Sequence, residues 1–159
     1  MIKVQNRNIK GDKPMTKDVL EIIQRKIREL EGNLLYLKQK SLNVNKDNIK
    51  NDIIVYWGIE RGIQICIESV IDISNIVISV NDAKKPNTYR ETVELIGTLG
   101  IIPKTFAKEL SNMVGFRNIL VHDYIKINED IILEILSNNL DDFIKFSNYI
   151  RKYLDDNYK

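Results

Sequence analysis

Cysteine is nearly absent: the 159-residue chain has one, Cys66, which excludes an intrachain disulfide framework and points to a reducing interior. Set in an apolar run, that thiol reads as a small buried hydrophobe. Histidine is as scarce, with His122 the single instance, so the chain offers no Cys/His cluster for zinc. Three prolines and seven glycines build neither a Gly-rich phosphate loop nor a nucleophile elbow. Charge of one sign is not in excess either. With 24 basic and 22 acidic residues the net charge is +2, so bulk charge does not announce nucleic-acid binding and any such contact must be local. No run approaches the roughly 20 uncharged apolar residues of a membrane span. Met1 to Pro14 carries Lys3, Arg7, Lys10 and Lys13 without the apolar stretch of a secretory signal. The expectation is a cytoplasmic protein with no membrane contact.

What is there is helical periodicity. After Thr16 as an N-cap, Leu20, Ile23, Ile27, Leu30, Leu34 and Leu37 recur at three- and four-residue steps, the stripe of an amphipathic helix. Asn43 to Asn48 reads as a polar, turn-forming break. The segment that follows, to about Val80, is rich enough in Ile and Val to raise a strand, but Glu60, Gln64, Glu68 and Asp72 fall every four residues. That spacing makes one helical ridge, where a strand would alternate with period two. A helix apolar over most of its remaining surface belongs at the centre. The polar ridge itself reads as a solvated or interhelical face, and Tyr56 and Trp57 as core or interface aromatics.

Thr88 followed by Glu91 makes a capping box for a short helix to about Leu99. Gly100 ends it, and Pro103 opens the next helix, which carries Phe106, Leu110, Met113, Val114 and Leu120. A last helix spans roughly Glu129 to Leu154, with Asn138 and Asn139 as a point of interruption. The predicted fold class is all-α, an up-down bundle of four main helices plus a short helix. Residues 1–15 form a flexible lead-in and residues 16–159 one domain, long enough to bury a core without staples.

The residues suited to chemistry lie together in Gly115-Phe116-Arg117-Asn118-Ile119-Leu120-Val121-His122-Asp123-Tyr124. On an ideal helix Asn118 and His122 are one turn apart, and Arg117 and Tyr124 share the adjoining face. Arg117 supplies a permanent planar charge for phosphate oxygens, Asn118 donates or accepts, and His122 moves a proton near neutral pH. These are the parts for metal-free RNA cleavage, in which the ribose 2′-OH attacks and the leaving 5′-oxygen takes a proton. Spacing alone leaves the alternative open that His122 is a solvated or capping residue at a helix end.

The same decapeptide, Arg117-Asn118-x-Leu120-Val121-His122-x-Tyr124 after Gly115-Phe116, resembles the HEPN superfamily, and within it the HepT-like toxins. The likeness extends through Glu60-Arg61 with Gln64, Glu68 and Asp72, and through Pro86 with Tyr89-Arg90-Glu91, over most of residues 16–155. Family members often carry His after Asn on the second long helix, where this chain has Asn75-Ile76. The resemblance implies a dimeric helical bundle in which two Arg-His motifs face one cleft, forming a metal-independent endoribonuclease without a cofactor. By residue, it implies catalytic roles for Arg117, Asn118 and His122, with Asp123, Glu60, Arg61 and Gln64 in support. It also implies one half of a type VII toxin–antitoxin pair, silenced when an MntA-like nucleotidyltransferase antitoxin adds AMP to Tyr124. With one His per chain, paired acid and base roles need a second copy, an independent reason to expect a homodimer. The other reading is a non-catalytic scaffold whose Arg117 and His122 hold a nucleotide for a partner enzyme.

Overall fold

The computed structural model describes residues 15–122 and 128–158, without the side chains of Asn118, Leu120, Val121 and His122. Seven α-helices are present among them: α1 (Lys17–Ser41), α2 (Lys46–Asn51), α3 (Ile53–Val80), α4 (Tyr89–Thr98), α5 (Lys104–His122), α6 (Glu129–Glu134) and α7 (Leu140–Asn157). A π-helical turn, Ile135–Asn139, joins α6 to α7. No strand occurs among the described residues.

Cross-helix contacts give the directions. Lys26 bonds Asp72 at 2.9 Å, while Leu37 lies against Gly62, so α1 and α3 run antiparallel. Glu31 takes two hydrogen bonds from Arg151, at 3.3 and 2.7 Å, and Lys38 bonds Asp141, which sets α7 antiparallel to α1. Gly97 against Ala107 and Ser111 bonded to Glu94 at 3.2 Å make α4 and α5 an antiparallel hairpin. The up-down bundle of four main helices, α1, α3, α5 and α7, with α4 as the short one, is what the periodicity predicts.

Helix α3 is the centre. Its buried residues include Tyr56, Ile59, Ile63, Cys66, Ile67, Val70, Ile73, Val77 and Ile78, which form one broad face flanked by half-buried residues. By length and apolarity it is the described helix that could cross a membrane, and half of its most apolar window is buried against its neighbours. From the other side α1 contributes Ile23, Ile27, Leu30, Leu34 and Leu37, the predicted stripe with Leu20 only half-buried. Each such side chain contributes about 1.5–3 kcal/mol when fully buried, which outweighs the modest helix propensity of α3's β-branched residues.

Two boundaries differ from the sequence reading. The break at Asn43–Asn48 contains the start of α2, capped by a reciprocal pair: Asn45 accepts from the Asn48 N–H at 2.9 Å and Asn48 from the Asn45 N–H at 3.0 Å. Asparagines that read as turn formers cap a short helix here, and Ile49 pins it to the core. The last helix is interrupted where Asn138 and Asn139 suggested, the π turn dividing it into α6 and α7, and it ends at Asn157 rather than near Leu154. Thr16 caps α1 and the Thr88/Glu91 box caps α4, as expected. Gly100 has φ +75°, the left-handed turn that favours glycine.

Candidate active site

Helix α5 carries Arg117, Asn118 and His122. Near Arg117 the Arg90 side chain of α4 lies over Gly115, where an added Cβ would stand 2.6 Å from its Nε and displace that guanidinium. At the far end of the same hairpin a Cβ on Gly97 would meet Ala107 Cβ at 2.5 Å. Close packing of Gly97 on Ala107 therefore seats α5, the helix that carries Arg117, against α4.

Arg117 is three-quarters buried, its side chain 22% exposed. Its guanidinium carbon lies 4.7 Å from the centre of the Tyr89 ring, a cation over an aromatic face. From α3, Glu68 Oε1 lies 3.9 Å from Arg117 Nε. The same Oε1 accepts a 2.9 Å hydrogen bond from Gln64 Nε2, and Oε2 is 3.9 Å from Arg61 Nη1. The predicted ridge is thus interhelical: Glu68 faces α5 and Asp72 bonds Lys26 of α1. At 3.9 Å an ion pair exists without a hydrogen bond, and Arg117 Nε is buried with no hydrogen-bond partner. Arg117 is held for position rather than for its own best hydrogen bonds.

Beside it opens a cleft of about 450 Å³, lined by Arg117, Asn75 of α3, Lys85 and Pro86 of the α3–α4 connection, and Tyr89 and Thr92 of α4. A permanent charge at the mouth of a polar cleft suits an anionic group such as a phosphate.

Of the residues singled out from sequence, Arg117, Gln64 and Arg61 are brought together through Glu68. Glu60 lies one turn before Gln64, half-buried, and makes no ion pair among the described residues. Asn118 and His122 stand on α5 one turn apart, as the spacing required, though their side chains lie outside what is described. Asp123 and Tyr124 lie outside the described residues. Glu68, Tyr89 and Asn75 belong to this site and were not singled out as site residues. The sequence signal for Glu68 was its place four residues after Gln64 on a ridge leading to a buried arginine.

The family model for HepT-like ribonucleases matches residues 23–150. The chain belongs to the HepT-like family. Among HepT-like relatives, the mRNA nuclease HepT of Shewanella oneidensis is 31% identical over 102 residues, 64% of this chain and 77% of the relative. The tRNA nuclease HepT of Aphanizomenon flos-aquae is 27% identical over 126 residues, 79% of this chain and 86% of the relative. A solved structure of a tri-AMPylated Shewanella oneidensis HEPN toxin in complex with its MNT antitoxin superposes with a TM-score of 0.75 at 28% identity, covering 87% of this chain and 99% of that one. The HepT-like fold thus holds from α1 to α7.

Proposed function

We propose that the chain is the ribonuclease toxin of a toxin–antitoxin pair, cutting RNA at Arg117 and His122 without a metal. The observation that carries this reading is the placement of Arg117. Its guanidinium is fixed between Tyr89 and Glu68 at the mouth of a polar cleft, five residues before the chain's one histidine on the same helix. Membership of the HepT-like family and the similarity to named RNA nucleases support it.

In this mechanism Arg117 holds the scissile phosphate and stabilises the charge it gathers. The 2′-oxygen attacks phosphorus, losing its proton to a base. The bond to the 5′-oxygen breaks, and that oxygen takes a proton from an acid. His122 serves one of these roles and His122 of a second copy the other, with Asn118 orienting the phosphate. A homodimer is supported by α3, which leaves Ile54 and Trp57 exposed, 68% and 58%, in the turns before Arg61. In this reading the proton transfers fall to side chains rather than to a metal-bound water.

The proposed control acts on the same motif. A nucleotidyltransferase antitoxin of the MNT type transfers AMP to the Tyr124 hydroxyl, and the added phosphate competes with RNA for Arg117. Both steps belong in the cytoplasm, where RNA and nucleotide are present. The test is the intact mass of the chain co-expressed with and without its genomic neighbour, with RNA cleavage assayed on both samples. Added AMP units on Tyr124, and cleavage only by the unmodified sample, are the expected result. An unmodified, folded dimer that cuts no RNA would contradict it.

A further inference from the structure

The cleavage chemistry leaves Asn75 unused. It follows Glu68 by seven residues on α3, hence on the same face and about 10 Å farther along the axis, and it lines the same cleft as Arg117 and Tyr89. Its Oδ1 is buried with no hydrogen-bond partner. A buried carbonyl oxygen without a donor is costly to leave so, and a ligand that brings an N–H removes the cost.

We infer that the cleft is a nucleobase subsite: it takes the base of the nucleotide whose phosphate Arg117 holds, and Asn75 selects bases that carry an exocyclic amine. This deepens the ribonuclease reading and rests on it. The unpartnered Oδ1 calls for a donor, and adenine and cytosine bring an amino N–H that stands outside the ring. Their amine projects beyond the ring and reaches a recessed acceptor. Uracil presents its N–H between two carbonyl oxygens, which meet the recessed Oδ1 with like charge. Tyr89 and Pro86 supply flat apolar surface for the base, and Lys85 adds positive charge at the rim.

The experiment measures binding of 2′-O-methyl trinucleotides, uncleavable because the attacking hydroxyl is blocked, with adenine, cytosine or uracil at the centre. The full wild-type chain is compared with Asn75→Leu, Asn75→Ala and Arg117→Ala, each checked for helical content. Wild type binds the adenine and cytosine probes about tenfold more tightly than the uracil probe. That ratio falls toward one in both Asn75 variants, while Arg117→Ala weakens all three probes alike. Equal affinities in wild type, no binding of any probe, or an unchanged ratio in folded Asn75 variants overturns the subsite. Cleavage of unmodified RNA is read in parallel. Cleavage without base selectivity removes the subsite alone, and base-selective binding without cleavage keeps the subsite but removes the ribonuclease reading.

Discussion

The guanidinium of Arg117 sits over the ring of Tyr89, 4.7 Å from its centre. One residue ends the Gly-Phe-Arg step of α5, and the other opens α4 directly after the Thr88 cap. Their meeting is a property of the α4–α5 hairpin, which packs closely where Gly97 meets Ala107. Glu68, brought in by the central helix, completes the frame.

Glu68 shares the charge of Arg117 without hydrogen-bonding its Nε. In Glu68→Ala the guanidinium keeps, among the described residues, Tyr89 but no ion pair, so kcat on a defined RNA should fall about ten- to a hundredfold through misplacement. KM should stay level or drop, because a negative neighbour of the phosphate has gone. Steady-state kinetics separate the two; a raised KM with intact kcat would make Glu68 an RNA-binding residue instead.

Gly97 has no room for a methyl group. Gly97→Ala gains up to about 1 kcal/mol of intrinsic helix propensity but must push α4 from α5, and overpacking of this kind costs about 1–3 kcal/mol. Urea denaturation should show a net loss of stability, and cleavage should weaken as Arg117 shifts. A variant as stable as wild type would mean that the hairpin is not closely packed there.

Cys66 is fully buried on α3, and burial pushes its thiol from 9.0 up to about 12. The native thiol should therefore resist iodoacetamide at pH 8, reacting only after denaturation. The sign for stability follows. The raised folded value leaves this contribution whole below pH 9 and removes it as pH climbs toward 12, since only the unfolded chain readily ionises there. Rapid native alkylation would place Cys66 at an accessible surface.

Tyr124→Phe removes one oxygen, the proposed acceptor of AMP. Mass spectrometry after co-expression with the nucleotidyltransferase should find this variant unlabelled, and RNA cleavage should escape silencing. Labelling as efficient as wild type would mean that another residue accepts the nucleotide.

Much of the bundle is legible in the sequence because its core is periodic. The Ile23 to Leu37 stripe and the Glu60 to Asp72 ridge each identify a face, and Thr16, Thr88 and Gly100 mark ends by local chemistry. What is not legible depends on partners distant in sequence. Asn45 and Asn48 have the composition of a turn, and only Ile49 finding the core makes them caps. Glu68 and Asp72 are four residues apart on one ridge, yet one faces Arg117 of α5 and the other Lys26 of α1, a division that no spacing predicts. In the site, Arg117 is conspicuous in the sequence as part of a dense motif. Tyr89 and Asn75 are not, because their roles arise only when α3 and α4 converge on α5.

The most direct measurement is cleavage of a labelled cellular RNA pool, in excess EDTA, by unmodified wild type, Arg117→Ala and His122→Ala, all verified as folded dimers. The account predicts cleavage by wild type undiminished by EDTA and none by either variant. Cleavage that needs added metal, or that survives loss of Arg117 or His122, would contradict it; a folded wild-type dimer that binds nucleotide but never cuts would leave the scaffold reading in its place.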